Sequence, residues 1–170
     1  GYCWPMGRAE MKKTAGHWGL SGPGWAAEWN QGGESGFLSI ATGADDDQAV
    51  AMADMEVPVA GRYVLWVRYG DWREATERFQ VRIEQPGREP ALARFGERAV
   101  VEEDEVMKLY WGWAFAWDSR PVDLAKGPAR LSLLSTTKDP NRRQVDVLVL
   151  TTYAAYRPRI KDRPASAAWG

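Results

Sequence analysis

The sequence contains very few of the residues on which most catalytic and metal sites depend. Its 170 residues include one cysteine, Cys3, and one histidine, His17. A single cysteine excludes an internal disulfide and a cysteine-rich metal site, and one histidine is too few for an ordinary zinc site. Ser21 and Ser35 lack the Gly-x-Ser-x-Gly context that exposes a nucleophilic serine. We therefore expect a chain without enzymatic activity.

Long hydrophobic runs, excess charge and helical periodicity are also missing. No apolar run approaches the ~20 residues needed to cross a bilayer. The formal net charge of -1 gives no positive field to attract nucleic acid or anionic lipid. No long stretch repeats its apolar residues every 3.6 positions, as an amphipathic helix would. We expect neither nucleic acid nor a membrane as a partner.

Alternation of apolar and polar residues, the pattern of a strand with one buried face, recurs along the chain. It is clearest in 79–84, in 63–69 and in 49–57, where alternate positions are apolar. Many short strands without interleaved helices predict an all-β fold, a jelly-roll β-sandwich. Further strands are expected at 110–117, 128–135 and 145–151, separated by clusters of Gly, Pro and Asp at 43–47, 86–90, 118–121 and 138–141.

Ten tryptophans are the most unusual feature of the composition. Trp111, Trp113, Phe115 and Trp117 alternate with small residues, so they share one face of a strand. One interpretation is a core strand whose aromatic face fills the space between two sheets. The other is that Trp111 or Trp113 reaches the rim of the sandwich and stacks on a sugar ring, whose C–H face is apolar.

A second group of tryptophans lies in the glycine-rich segment 14–36. Trp18, Trp25 and Trp29 stand among turn-forming residues, so we expect one or two surface loops there. Aromatic residues in loops over a rigid scaffold form a plausible binding surface. They could equally fold back and cover the ends of the sandwich, and the sequence leaves both interpretations open.

Glu10 and Asp146 are carboxylates among apolar neighbours on the expected first and last strands. A carboxylate that faces the interior of a sheet needs a partner, because an isolated buried charge is very costly. Ca²⁺, which takes oxygen ligands, would satisfy both residues. Arg8, Arg68 or another basic residue is the alternative partner.

Five segments in chain order resemble the family 6 and family 35 carbohydrate-binding modules. The resemblance runs from about residue 7 to residue 153, and the strand around Gly61 and the final strand are its most specific parts. The segments are Arg8-Ala9-Glu10; Ala60-Gly61-Arg62-Tyr63-Val64-Leu65-Trp66-Val67-Arg68-Tyr69; Gly112-Trp113 with Trp117; 122–127 leading into 130–133; and Gln144-Val145-Asp146.

The resemblance implies a galactose-binding-like β-sandwich that binds a polysaccharide or glycan without catalysis. It implies a sugar site in the loops at one edge, built from aromatic residues and an amide. We assign that site to Trp111, Trp113, Gln144, Trp18 and Trp25. It also implies a structural Ca²⁺ near the two termini, held here by Glu10 and Asp146, although Arg8 stands where a calcium-binding glutamate is usual.

The expected organisation is an N-terminal tail at 1–6, the sandwich at 7–156 and a linker at 157–170. The linker is rich in Arg and Pro and has little to bury, which indicates that another domain of the same chain comes after it. The expected function is that of an accessory module of a larger bacterial protein, secreted or on the cell surface. The alternative is a structural module that contacts neighbouring domains and binds no sugar.

Overall fold

The computed structural model describes residues 2–5, 19–21, 25–28, 37–40, 50–72, 78–97, 107–108, 113–135 and 144–159. All of the regular structure in these ranges is β-strand. The described residues therefore include no helix that could cross a membrane. The strands are β1 Tyr2–Pro5, β2 Gly19–Ser21, β3 Trp25–Glu28, β4 Phe37–Ile40, β5 Val50–Val57, β6 Gly61–Trp72, β7 Phe79–Glu84, β8 Ala91–Phe95, β9 Met107–Lys108, β10 Trp113–Leu124, β11 Gly127–Ser135 and β12 Gln144–Thr151.

The strands form two antiparallel sheets. The seven-stranded sheet has the order β3-β4-β12-β6-β10-β9, and β1 pairs with β12 beside β4. The five-stranded sheet has the order β2-β5-β11-β7-β8. The predicted all-β sandwich is confirmed.

The main core lies between the sheets and is built from alternate residues of each strand. From β6 it takes Tyr63, Leu65, Val67 and Tyr69, all buried. The alternation predicted for 79–84 is confirmed, because β7 alternates buried and half-buried residues throughout. The alternate residues of 51–57 also lie in or against this core, as predicted.

The outer face of the seven-stranded sheet carries a second cluster, which we call the outer cluster: Trp66, Arg68, Trp117, Val147 and Val149, with Tyr156 packed over it. Arg68 is fully buried, and its guanidinium carbon lies 5.0 Å from the centre of the Trp117 ring. Trp66 and Tyr156 meet edge to face, with ring centres 6.4 Å apart.

Residues 153–159, here called the C-terminal segment, cover the outer cluster. The Trp117 Nε1 donates a hydrogen bond to the carbonyl oxygen of Arg159 at 3.0 Å. The guanidinium of Arg157 lies 6.0 Å from the Trp66 ring. The expected domain limits stay a prediction, but parts of the expected tail and linker are ordered against the sheet: Tyr2–Pro5 form β1, and 157–159 contact β6 and β10.

Two local predictions were wrong. The turn expected at 118–121 is the middle of β10, which pairs with β6 without a register shift from Trp113 to Leu124. Pro121 is tolerated because β9 pairs only with Ala114 and Phe115, so the proline lies where the described part of β10 has a partner on one side only. Trp117 does not fill the space between the sheets, since it lies in the outer cluster.

Candidate functional site

Three of the residues assigned to a sugar site come to the same end of the seven-stranded sheet. Trp25 pairs with Ile40 across β3 and β4, and Gln144 pairs with Ser39 across β4 and β12. Trp113 pairs with Trp72 across β10 and β6. The strands are adjacent in the order β3-β4-β12-β6-β10, and the three residues lie at the same end of this row of strands, which we call the loop end.

The spacing of Gln144 and Trp113 is set by the strand order. Only β6 separates β12 from β10, and adjacent strands lie about 4.8 Å apart, so the two backbones are roughly 10 Å apart across the sheet. Val145 is opposite Tyr69, so Gln144 is about two residues from the level of Trp113 along the strands. A binding site that uses both residues therefore needs no rearrangement of the sheet.

The other assigned residues lie outside the described part of the chain. Trp111 precedes β10 by two residues, and Trp18 precedes β2 by one. Glu10 also falls outside the described residues, five positions after the end of β1. Their roles stay predictions.

A buried polar cluster supports the sheet near the loop end, three residues before Trp72. The Tyr69 hydroxyl donates to Asp118 Oδ2 at 3.4 Å and accepts from the backbone N–H of Gly96 at 3.3 Å. Asp118 Oδ1 accepts from the backbone N–H of Ser119 at 2.8 Å and from Arg120 Nη1 at 2.9 Å. These bonds join β6 and β10 of the seven-stranded sheet to the residue that follows β8 of the five-stranded sheet, so they hold the two sheets together at this point.

Aromatic rings pack against that polar cluster. Phe79 and Phe95 stack with centres 5.4 Å apart, and Tyr69 meets Phe79 edge to face at 5.1 Å. The guanidinium of Arg120 lies 5.1 Å from the Phe95 ring. Sequence analysis missed this cluster because Asp118 and Arg120 belong to a stretch with the composition of a turn.

Asp146 occupies an irregular position in β12. The register with β6 shifts between Val145, opposite Tyr69, and Val147, opposite Arg68, so Asp146 is the extra residue of a β-bulge. Pro5 of β1 pairs with Val147, so the chain that leads toward Glu10 leaves β1 beside Asp146. Within the described ranges, no group of three or more His, Cys, Asp and Glu residues is placed to hold a metal. Arg68 lies one position from Asp146 in the register, so a metal and a basic partner both remain open.

No family model matches this sequence, and no curated protein does. Solved structures do match. The family 35 carbohydrate-binding module Xyl-CBM35, in complex with a glucuronic acid-containing disaccharide, is 16% identical with a TM-score of 0.57, and the match covers 89% of this chain and 93% of that chain. The family 35 module from Clostridium thermocellum is 12% identical with a TM-score of 0.56, covering 88% and 98%. The fold is that of the family 35 carbohydrate-binding modules.

Larger proteins share the family 35 fold as one part of their structure. The cycloisomaltooligosaccharide glucanotransferase from Paenibacillus sp. is 14% identical with a TM-score of 0.50. The match covers 87% of this chain but only 18% of that enzyme. At these identities the likeness concerns the family 35 fold, and the chemistry of the site has to be argued from this chain's own residues.

Proposed function

We propose that this chain is a non-catalytic carbohydrate-binding module whose sugar site is the loop end of the seven-stranded sheet. The observation that carries the proposal is the strand register. It brings Trp25, Gln144 and Trp113, from three distant parts of the sequence, to the same end of one sheet. The fold shared with free-standing family 35 modules supports the same function.

Each residue would contribute a different interaction. The ring of Trp113 stacks on the apolar face of a sugar, and the Gln144 amide, which both donates and accepts, binds hydroxyls. Trp25 and Trp111 add further aromatic surface. A shallow site buries little area, while the ligand still loses its full translational and rotational freedom on binding. We therefore expect a dissociation constant on the order of 10 µM to 1 mM.

We infer that the module acts as an accessory domain of a larger extracytoplasmic protein and has no catalytic activity of its own. Solved enzymes that contain this fold support that arrangement, because in them it is a minor part of the chain. The shortage of histidine and cysteine supports the absence of catalysis. The absence of catalysis would be contradicted if the purified protein hydrolysed a polysaccharide or an ester and lost that activity when a single carboxylate was substituted.

A structural Ca²⁺ held by Glu10 and Asp146 is part of the same proposal. The bulge supports it, since bulges occur where a strand re-aims a side chain, and β1 ends beside Asp146. Carboxylate oxygens are the ligands that Ca²⁺ prefers. The ion would fasten the start of the chain to its last strand.

The proposed site is tested by titrating glycans into Trp113→Ala and Gln144→Ala variants in a calorimeter. The ligands are a glucuronic acid-containing disaccharide, isomaltooligosaccharides and mannooligosaccharides, chosen from proteins that share this fold. Tyr153→Ala is the matched control, because Tyr153 is 65% exposed and comes after β12 at the opposite end of the sheet.

We expect Trp113→Ala to abolish binding, Gln144→Ala to weaken it about tenfold, and Tyr153→Ala to leave it unchanged. The melting temperature of each variant separates loss of the site from loss of the fold. If no glycan binds the unaltered protein, the structural-module alternative replaces this proposal.

A further inference from the structure

The end of the sandwich opposite the loop end contains an open trough that sequence analysis did not anticipate. Three short connections meet there: 58–60, 85–90 and 125–126. The trough has a volume of about 830 Å³, within the range of ligand sites. Its lining residues are Asp54, Met55, Glu56, Glu84, Gln85, Pro86, Pro128, Ala129 and Arg130. We call it the turn-end trough.

Two of the connections at the turn-end trough are joined by hydrogen bonds. Gln85 Nε2 donates to the carbonyl oxygen of Ala125 at 2.7 Å, and the backbone N–H of Ala125 donates to Gln85 Oε1 at 2.9 Å. These two bonds fasten the connection after β7 to the connection after β10. Pro86 and Pro128 restrict the backbone further and present apolar ring surface to the trough.

The charged residues of the trough are arranged across three adjacent strands. Arg130 on the central strand β11 is opposite Asp54 of β5 and Glu84 of β7. Its Nε and Nη2 donate to the two Asp54 carboxylate oxygens at 2.8 and 3.3 Å, and the hydrogen bond lowers the pKa of Asp54.

The lining has more negative than positive charge. It contains three carboxylates, from Asp54, Glu56 and Glu84, against the single guanidinium of Arg130, which Asp54 already engages. Glu84 also lies 3.6 Å from Arg82, which is outside the lining. Within the described part of the chain, no ion pair forms on Glu56. The surplus of negative charge disfavours an anionic ligand and favours a cationic one.

We propose that the turn-end trough is a second saccharide site, selective for amino sugars with a free ammonium group. The sugar ring lies against Pro86 and Pro128, and the ammonium group binds the carboxylate of Glu56, while Glu84 adds negative charge from the other side of β11. The Asp54–Arg130 pair offers acceptors and donors to the neighbouring hydroxyls. This site goes beyond the loop end and is independent of it, because roughly 35 Å of β6 separates the two ends of the sandwich.

The test uses hexaglucosamine as the probe and its fully N-acetylated counterpart as the neutral control. Binding to the 170-residue protein is followed by the shifts of backbone amides in nuclear magnetic resonance spectra. The variant is Glu56→Gln with Glu84→Gln, and the charge-matched control is Glu97→Gln with Asp123→Asn, two exposed carboxylates outside the trough. The same titration is repeated with Trp113→Ala.

We expect hexaglucosamine to shift the amides of Met55, Ala129 and Arg130, and the N-acetylated probe to bind at least tenfold more weakly. The double glutamine variant should lose about tenfold or more in affinity, since charge-assisted hydrogen bonds are roughly twice as strong as neutral ones. Binding should also weaken with added salt. The control variant and Trp113→Ala should retain it, which keeps this result separate from any failure at the loop end.

Three results would overturn the proposal. The first is equal binding of the two probes, and the second is amide shifts confined to residues outside the trough. The third is tighter binding of a hexalysine peptide than of hexaglucosamine, because that would identify the trough as a contact for basic protein segments. If the double variant does not fold, the shifts measured on the unaltered protein still locate the site or exclude it.

Discussion

The two faces of β6 are both covered, but by different kinds of residue. The inner face carries Tyr63, Leu65, Val67 and Tyr69 and packs against the five-stranded sheet. The outer face carries Trp66 and the fully buried Arg68, and the C-terminal segment covers it. The inner face obeys the usual rule of apolar burial, whereas the outer face buries a charge under aromatic rings.

The comparison explains why β12 is apolar at five of the six positions from Val145 to Leu150. Leu148 and Leu150 belong to the inner core, while Val147 and Val149 belong to the outer cluster. A strand buried on both faces has no polar alternation to show. The inner face depends on the second sheet, and the outer face depends on the few residues of the C-terminal segment.

The inner face should be the more sensitive to truncation. Leu65→Ala removes a fully buried side chain in a close-packed region and should lower the free energy of unfolding by about 3–5 kcal/mol. Val64→Ala, on the other face of the same strand and only half-buried, is the control. Urea unfolding measures both. Equal effects of the two substitutions would show that the faces do not differ in the way described.

The outer face should respond strongly to loss of its aromatic partner. Trp117→Ala removes the ring over the Arg68 guanidinium and the hydrogen bond to Arg159. Because Trp117 is half-buried, we expect a loss of about 2–3 kcal/mol, below the usual range for a fully buried tryptophan. Thermal melting of Trp117→Ala and Trp117→Phe checks this, and the phenylalanine variant should recover most of the loss. No recovery would mean that the ring contact contributes little.

Shortening the chain should show how much stability the C-terminal segment contributes. A chain that ends at residue 159 keeps the contacts of Tyr156, Arg157 and Arg159 with the sheet, whereas one that ends at 152 loses them all. We expect the shorter chain to be less stable by about 1–2 kcal/mol, from one hydrogen bond and the exposure of Trp66 and Trp117. Calorimetric melting compares the two, and equal stability would show that residues 153–159 add no stability to the sheet.

Replacing the buried charge itself should matter less than removing its partner. Arg68→Met keeps an unbranched side chain of similar length under Trp117 and removes the cost of burying a charge, so the apolar packing of the outer cluster is retained. We expect a change within about 1 kcal/mol in urea unfolding. A loss as large as that of Trp117→Ala would mean that the polar interactions of the Arg68 guanidinium contribute as much as the Trp117 ring.

Deleting Asp146 should have the smallest effect on the fold. Val145 lies in the inner core, Val147 in the outer cluster and Leu148 in the inner core, so the alternation is regular once the bulge residue is removed. We expect nearly unchanged melting in chelator and loss of any stabilisation by Ca²⁺, since a ligand that binds only the folded state stabilises it. If chelator does not lower the melting temperature of the unaltered protein, the proposed calcium site is absent.

Sequence reasoning succeeded where one face of a strand is wet. The alternation in 79–84 has a direct physical cause, so it could be interpreted without a structure. It failed at Asp118 and Pro121, because turn-forming residues also occur at buried polar clusters and on strands with one partner. The stripe that ends at Trp117 could not be assigned to a face, since both faces of this sheet bury aromatic residues.

The candidate site was only partly accessible to the same reasoning. Residue types identified Trp25, Trp113 and Gln144 as candidates, but their meeting at the loop end depends on pairings between strands far apart in the chain. No local pattern encodes such pairings. The turn-end trough was hidden for the same reason, because Asp54, Glu84 and Arg130 look like ordinary solvent-facing residues of three separate strands.

The pairing pattern of β12 also constrains the order in which the chain can fold during synthesis. β1, β3 and β4 join the seven-stranded sheet only through β12, the last of the strands described here. Residues 2–5 pair with residues 147–150, which follow them by more than 140 positions, so this pairing can form only after residues 147–150 have been synthesised. Contacts of such long range are slow to form. On a ribosome, β3 and β4 can pair with each other early, but β1 and the edge of β4 that pairs with β12 remain unpaired until β12 has emerged, and unpaired strand edges are prone to aggregate.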